Sequence, residues 1–216
     1  MKRPKLSPKQ LLASLRTGGA VSRARIYHDA PTEDPAARMP FEQHQRAAQV
    51  LGLDPRAIMA LAVVETRDRP FIDGVPIVRL ETHKWRQFRQ ATRSAKAFDQ
   101  VKNFRDLTLR WSRFEDMQKL QSGPAIKSHS FGAFQIMGFN LRRCGFENAE
   151  AFLAAMKTVD GQTSALIRLV QSTPALLRGL KDLDGHVVGH HYNGRNYRQN
   201  NYHTKWLAAL ETPRVA

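Results

Sequence analysis

Glu65 is the residue whose setting first suggests chemistry. It closes an almost wholly apolar run, Ile58-Met59-Ala60-Leu61-Ala62-Val63-Val64, and at helical spacing the residues three and four positions back are Ala62 and Leu61. A carboxyl group held against such a face is poorly solvated as an anion, so its pKa rises and it can stay protonated near neutrality. That is the property a general acid needs to protonate the leaving oxygen of a glycosidic bond. On local sequence alone the simpler explanation is different: an ordinary helix-end glutamate paired with Arg67 or Arg69.

Other reactive residue types form no comparable constellation. The eight histidines include His190-His191 and His203, but these show neither a His-Glu-x-x-His pattern nor a companion acid at helical spacing, so no metal is expected. Ser128-His129-Ser130 is no hydrolase triad, because adjacent residues seldom bring nucleophile and base within reach, and no Gly-x-Ser-x-Gly elbow accompanies it. The single cysteine, Cys144, has no partner for an internal disulfide or a thiolate metal site and reads as a buried structural thiol. The chemistry available is that of side chains, with no cofactor implied.

The elements that must hold these residues are mostly helical. Helices are predicted over residues 41–51 and 55–67, the second with Asp54 as N-cap and Pro55 at its first position. Asp73-Gly74, with Phe71-Ile72 before it and Ile77-Val78 after, predicts a small hairpin within 70–80, the one sheet expected. Residues 81–106 are expected to be partly helical. Leu107, Trp111, Phe114, Met117 and Leu120 recur at three- and four-residue intervals and mark an amphipathic helix. Further helices are predicted near 131–137, 148–157, 161–171, 174–181, 184–192 and 202–211. Towards the N-terminus, residues 7–16 predict a short helix with Ser7 as N-cap, and the stretch up to Pro40, with Pro31 and Pro35, reads as a linker. The expected organisation is a basic extension and linker over 1–40 and one catalytic domain over 41–216, acting as a monomer.

The net charge of +15 is concentrated. Residues 1–25 carry seven Lys/Arg and no acids, and residues 79–113 carry ten against three, so each segment contributes +7. Such a surface attracts polyanions: nucleic acid, anionic lipid or a phosphate-bearing bacterial envelope. The run from Trp85 to Arg105 interleaves aromatic and basic residues, the best case for a nucleic-acid-binding protein. The apolar run that ends at Val64 falls far short of the roughly 20 residues needed to span a bilayer. The N-terminal apolar stretch is too broken by charge for a signal-peptide core, and a soluble product of the cytoplasm is expected.

Three ordered segments change the weight given to Glu65: Val64-Glu65-Thr66, Ser130 to Asn140 with its Gly132-x-x-Gln135-Ile136-Met137, and His191-Tyr192-Asn193-Gly194. Together they resemble the signatures of the lysozyme-like superfamily. A narrower resemblance, over about residues 42–211, is to the N-acetylmuramidases of phage and prophage endolysins; it extends to Ile77-Val78-Arg79-Leu80-Glu81-Thr82-His83, Cys144-Gly145, Tyr197 and Tyr202. Nucleic-acid binding leaves these three segments unexplained. The sequence departs from the family at Thr66-Arg67, where serine and glycine are usual, and at Leu80-Glu81-Thr82-His83, where Phe-Glu-Arg-His is usual.

The resemblance implies an α+β lysozyme-like fold and cleavage of the β-1,4 bond between N-acetylmuramic acid and N-acetylglucosamine in peptidoglycan. It also implies release from the host cytoplasm through a separate holin. Glu65 would be the acid and Glu81 the second carboxylate, with Asp73 as its competitor, although Asp-Gly also explains itself as turn chemistry. Gln135, Tyr192, Asn193 and Tyr197 would contact substrate: Gln135 offers donor and acceptor to N-acetyl groups or hydroxyls, Tyr192 a ring to stack on sugar, Asn193 an amide. Each has a structural alternative, Gln135 as a bridge between elements and Asn193-Gly194 as a helix stop. The same glutamate serves lytic transglycosylases, which use the substrate's own hydroxyl instead of water; the presence of Glu81 favours hydrolysis.

Overall fold

A computed structural model describes residues 38–101 and 106–211; the helix predicted over 7–16 and most of the 1–40 extension lie outside them. At the centre stands a helix that is apolar nearly all round, α2 (Pro55–Thr66), with Ala57 through Ala62 buried. Its start follows the sequence: Asp54 accepts the Arg56 backbone N–H at 2.8 Å, and Pro55 occupies the first turn, where no N–H is needed. Helix α1 (Phe41–Leu51), ended by Gly52 at φ 66°, packs on one side of it. The C-terminal helix α11 (Tyr202–Leu210) packs on another, its Trp206 indole donating to the Ala57 carbonyl at 3.3 Å. A helix this apolar is thus wrapped by neighbours, as its composition demands.

Two small antiparallel sheets follow. The expected hairpin pairs β1 (Phe71–Ile72) with β2 (Val75–Pro76), and both turn residues, Asp73 at φ 48° and Gly74 at φ 74°, adopt the positive φ that a two-residue hairpin favours. The second sheet corrects the sequence reading. Strand β3 (Val78–Leu80) leaves the hairpin and pairs with β4 (His129–Phe131), which pairs in turn with β5 (Ile136–Met137). Residues 131–137, predicted as helix, therefore form a strand, a tight turn and a strand; Gly132 (φ 72°) and Gln135 (φ 47°) reverse the chain where a helix would need negative φ throughout.

Between β3 and β4 come α3 (Thr82–Phe88), α4 (Arg93–Lys96), α5 (Leu107–Leu120) and α6 (Ser122–Ser128), the last not foreseen. Helix α5 feeds Phe114 and Met117 into the core, where Phe114 meets His129 and Phe131 edge-on at 5.0 and 5.2 Å between centroids. Beyond β5, a 3-10 turn (Gly138–Asn140) leads to α7 (Ala149–Met156), α8 (Val159–Gln171) and α9 (Pro174–Lys181). The segment predicted as one helix over 184–192 is α10 (Gly185–Val188) continued by a π-helical turn (Gly189–Asn193). Gly189 permits that turn to lie on Tyr197, since a Cβ there would stand 2.5 Å from the ring. Cys144 is fully buried, and burial pushes its thiol up to about 11. Among the described residues no helix is long and apolar enough to cross a membrane.

Candidate active site

Glu65 lies in the last turn of α2, and the chain beyond it is pinned. Arg67 (φ 59°) and Asp68 (φ 65°) both take the left-handed conformation, returning their N–H groups to Val63 and Ala62 carbonyls. Neither is glycine, so surrounding contacts must hold the turn. The Asp68 carboxylate meets buried His44 at 3.0 Å, its carbonyl accepts the Met39 N–H at 2.8 Å, and the Thr66 hydroxyl donates to the Ala133 carbonyl at 3.0 Å.

Ala133 belongs to the turn between β4 and β5, where several distant segments converge. The Ala133 N–H is received by the side-chain oxygen of buried Gln162 at 2.8 Å, whose amide nitrogen donates to the Met156 carbonyl at 2.8 Å. The next carbonyl, of Phe134, accepts the Tyr192 hydroxyl at 2.6 Å. Gln135 closes the turn on itself: its amide donates to the Gly132 and Ile77 carbonyls at 2.8 and 3.2 Å, and its oxygen accepts the Ser130 hydroxyl at 2.9 Å. Glycine is required at 132 because a Cβ would stand 2.4 Å from the Gln162 oxygen, and at 138 because it would stand 2.1 Å from the Ile126 carbonyl oxygen. The Gly-x-x-Gln-Ile-Met-Gly pattern is thus accounted for largely by backbone geometry.

Around Glu65 this scaffold creates a poorly solvated setting. Burial pushes the Glu65 carboxyl up to about 7, and the charge of Glu81 adds to the rise, while the Tyr202 hydroxyl and Arg79 oppose it. Tyr202 is buried, and its hydroxyl has no partner in close hydrogen-bonding geometry among the described residues. Burial together with the Glu65 charge holds both Tyr192 and Tyr202 well above the ordinary phenol range, so both stay protonated beside the carboxyl. Glu81 is different: it sits at the N-cap position of α3 with its side chain 36% exposed and His83 Nδ1 3.8 Å away. One carboxyl is desolvated and the other wetted, within electrostatic reach of each other. The raised Glu65 carboxyl can hold a proton near neutrality, as a proton donor must.

The remaining predicted residues divide. Tyr192 stands beside Glu65 and lines, with Gln135, Met137, Asn140 and His191, a cavity of about 60 Å³ in whose wall Glu65 takes no part. Its volume suits a few waters and not a sugar ring. Asn193 is exposed, and its side-chain oxygen accepts from Asn200 at 2.9 Å. Asp73 stays at the exposed hairpin tip and is not among the groups that shift Glu65. Tyr197 is buried, its hydroxyl engaged by Arg198 at 3.0 Å and His186 at 3.2 Å. Gln162 and the roles of Arg79 and Tyr202 escaped the sequence reading; an isolated buried glutamine within an amphipathic helix was the only local trace of the first. Among the described residues, no three His, Cys, Asp or Glu side chains gather in a way that could hold a metal ion.

Residues 54–213 match the family model described as N-acetylmuramidase. No curated protein matches the chain. Among solved structures, the crystal structure of the Burkholderia AP3 phage endolysin is similar, with a TM-score of 0.67 and 28% sequence identity over 83% of this chain and 72% of that one.

Proposed function

Because this chain belongs to the N-acetylmuramidase family, with the match running over residues 54–213, we propose that it is an endolysin-type peptidoglycan hydrolase in which Glu65 protonates the leaving oxygen between N-acetylmuramic acid and N-acetylglucosamine. The observation that carries the assignment of the acid is its desolvated carboxyl, raised to about 7, with partly exposed Glu81 within its field. Glu81, its side chain 36% exposed, serves as the second carboxylate that activates water or steadies the oxocarbenium charge. Tyr202 keeps a protonated hydroxyl beside Glu65, and Tyr192, its own hydroxyl given to the Phe134 carbonyl, supports the turn next to it. Gln135 reaches substrate only through what its oxygen can still accept, its amide hydrogens being committed to two carbonyls.

The test is a digest of purified sacculi by wild type and by Glu65→Gln, with mass spectrometry of the products. Wild type should release reducing muramic acid ends, and Glu65→Gln should fold yet lose at least about a thousandfold in rate. Near wild-type turnover by Glu65→Gln would remove the assignment of the acid, and 1,6-anhydro ends would replace hydrolysis by transglycosylation. We also assign the +7 of residues 1–25 to contact with anionic envelope components, the catalytic unit being residues 41–216. Deleting residues 1–38 should weaken binding to outer-membrane-permeabilised cells; unchanged binding and lysis would refute this.

A further inference from the structure

The alternation of side chains along β3 decides what faces the site. Val78 and Leu80 turn into the core, so Arg79 turns the other way, and Glu81, two residues on, follows it. Across the sheet Arg79 pairs with Ser130, and Ser130 with Met137, which puts these three on one face with the residue that braces them, Gln135. Arg79 is exposed, and among the described residues no acceptor bonds its guanidinium. This contrasts with Arg46, Arg56 and Arg89, each held by an aspartate. Arg79 lies in the field of Glu65, and Arg110 on α5 stands close enough for the two guanidinium groups to repel. A cation placed among reacting carboxylates, bonded to neither and repelled from behind, is poised for an anion that arrives with the substrate.

Resting on the muramidase reading, the chemistry of the substrate supplies that anion. The glycan backbone is neutral in its N-acetylglucosamine residues, whereas muramic acid carries a peptide stem with free carboxylates. We propose that Arg79 binds a stem carboxylate of the muramic acid residue seated against β3, and so makes the enzyme prefer strands with free stem carboxylates over strands in which they are blocked. Arg79 is thus a specificity-determining residue, planar and able to hold a carboxylate through two parallel bonds.

The experiment compares native sacculi with sacculi whose carboxylates have been converted to neutral amides by carbodiimide coupling, scored by reducing ends released. Wild type should lose about 10- to 100-fold in kcat/KM on the amidated preparation, the worth of a charge-assisted hydrogen bond. Arg79→Gln should be slow on native sacculi and lose most of the preference, with most of its loss in KM; Arg79→Lys should recover part of the preference. Removing Arg79 also lifts the Glu65 pKa, but that acts on both substrates and cancels in the ratio. Equal rates of wild type on the two preparations, or a preference that survives undiminished in Arg79→Gln, would overturn the proposal while leaving the muramidase reading intact. Release of no reducing ends from either preparation by wild type would instead defeat the muramidase reading, and this assignment with it.

Discussion

The sequence context of Glu65 made a neutral acid plausible, and its environment sets how far the shift goes. Rising from 4.5 to about 7 corresponds to about 3 kcal/mol of disfavoured charge, more than an exposed ion pair to Arg67 or Arg69 could offset. In the proposed mechanism the reaction uses the protonated form, so the basic limb of kcat/KM should fall near pH 7, with activity declining about tenfold per unit above it. A limb near pH 5, measured on soluble muropeptide chains, would refute the assignment. Glu65 was singled out in the sequence by its apolar context and its order along the chain, and Glu81 by the resemblance. The work of Gln135 was not, since an amide in a short motif suits a ligand or a backbone equally, and only the folded turn shows its hydrogens spent on Gly132 and Ile77. Tyr202 was legible as part of the resemblance, but its nearness to Glu65 depends on α11 lying along α2.

Among the elements, those with internal periodicity were read almost to the residue, as with Leu107–Leu120 and Pro174–Lys181. The three-stranded sheet was missed because its strands hold two or three residues each, too few to show a period of two. Its key pairing, Arg79 with Ser130, joins residues too distant to leave a local trace. The end of α2 carries a testable cost. Arg67 is exposed and held at φ 59°, where the family resemblance has glycine, and a side chain in that region costs about 1 kcal/mol. Arg67→Gly should therefore raise the melting temperature by about 2–4 °C with little effect on turnover. Calorimetry showing a lower melting temperature would mean that the Arg67 side chain contributes more than its backbone costs.

For the molecule as a whole, two desolvated groups make opposite demands on pH. His129 is neutral in the fold, pushed down to about 4 by burial from an ordinary 6.5, so its contribution is complete above about 6.5 and is lost as pH falls towards 4. Glu65 is pushed up, so its contribution is complete below about 4.5 and is lost as pH rises through about 7. The two slopes oppose each other between about 4.5 and 6.5. Glu65→Gln removes one of them, and its stability relative to wild type should grow by about 1–3 kcal/mol from pH 4.5 to pH 7.5; a constant difference across denaturant melts would contradict this. The turn at Gly132 to Gln135 has a consequence of another kind. Thr66, Gln162 and Tyr192 come from three separate helical segments, yet each binds a main-chain group of Ala133 or Phe134. A shift of that loop moves the anchors of all three together, so their identities should drift in concert among homologues, whereas the side chains of Ala133 and Phe134 answer only to the space around them.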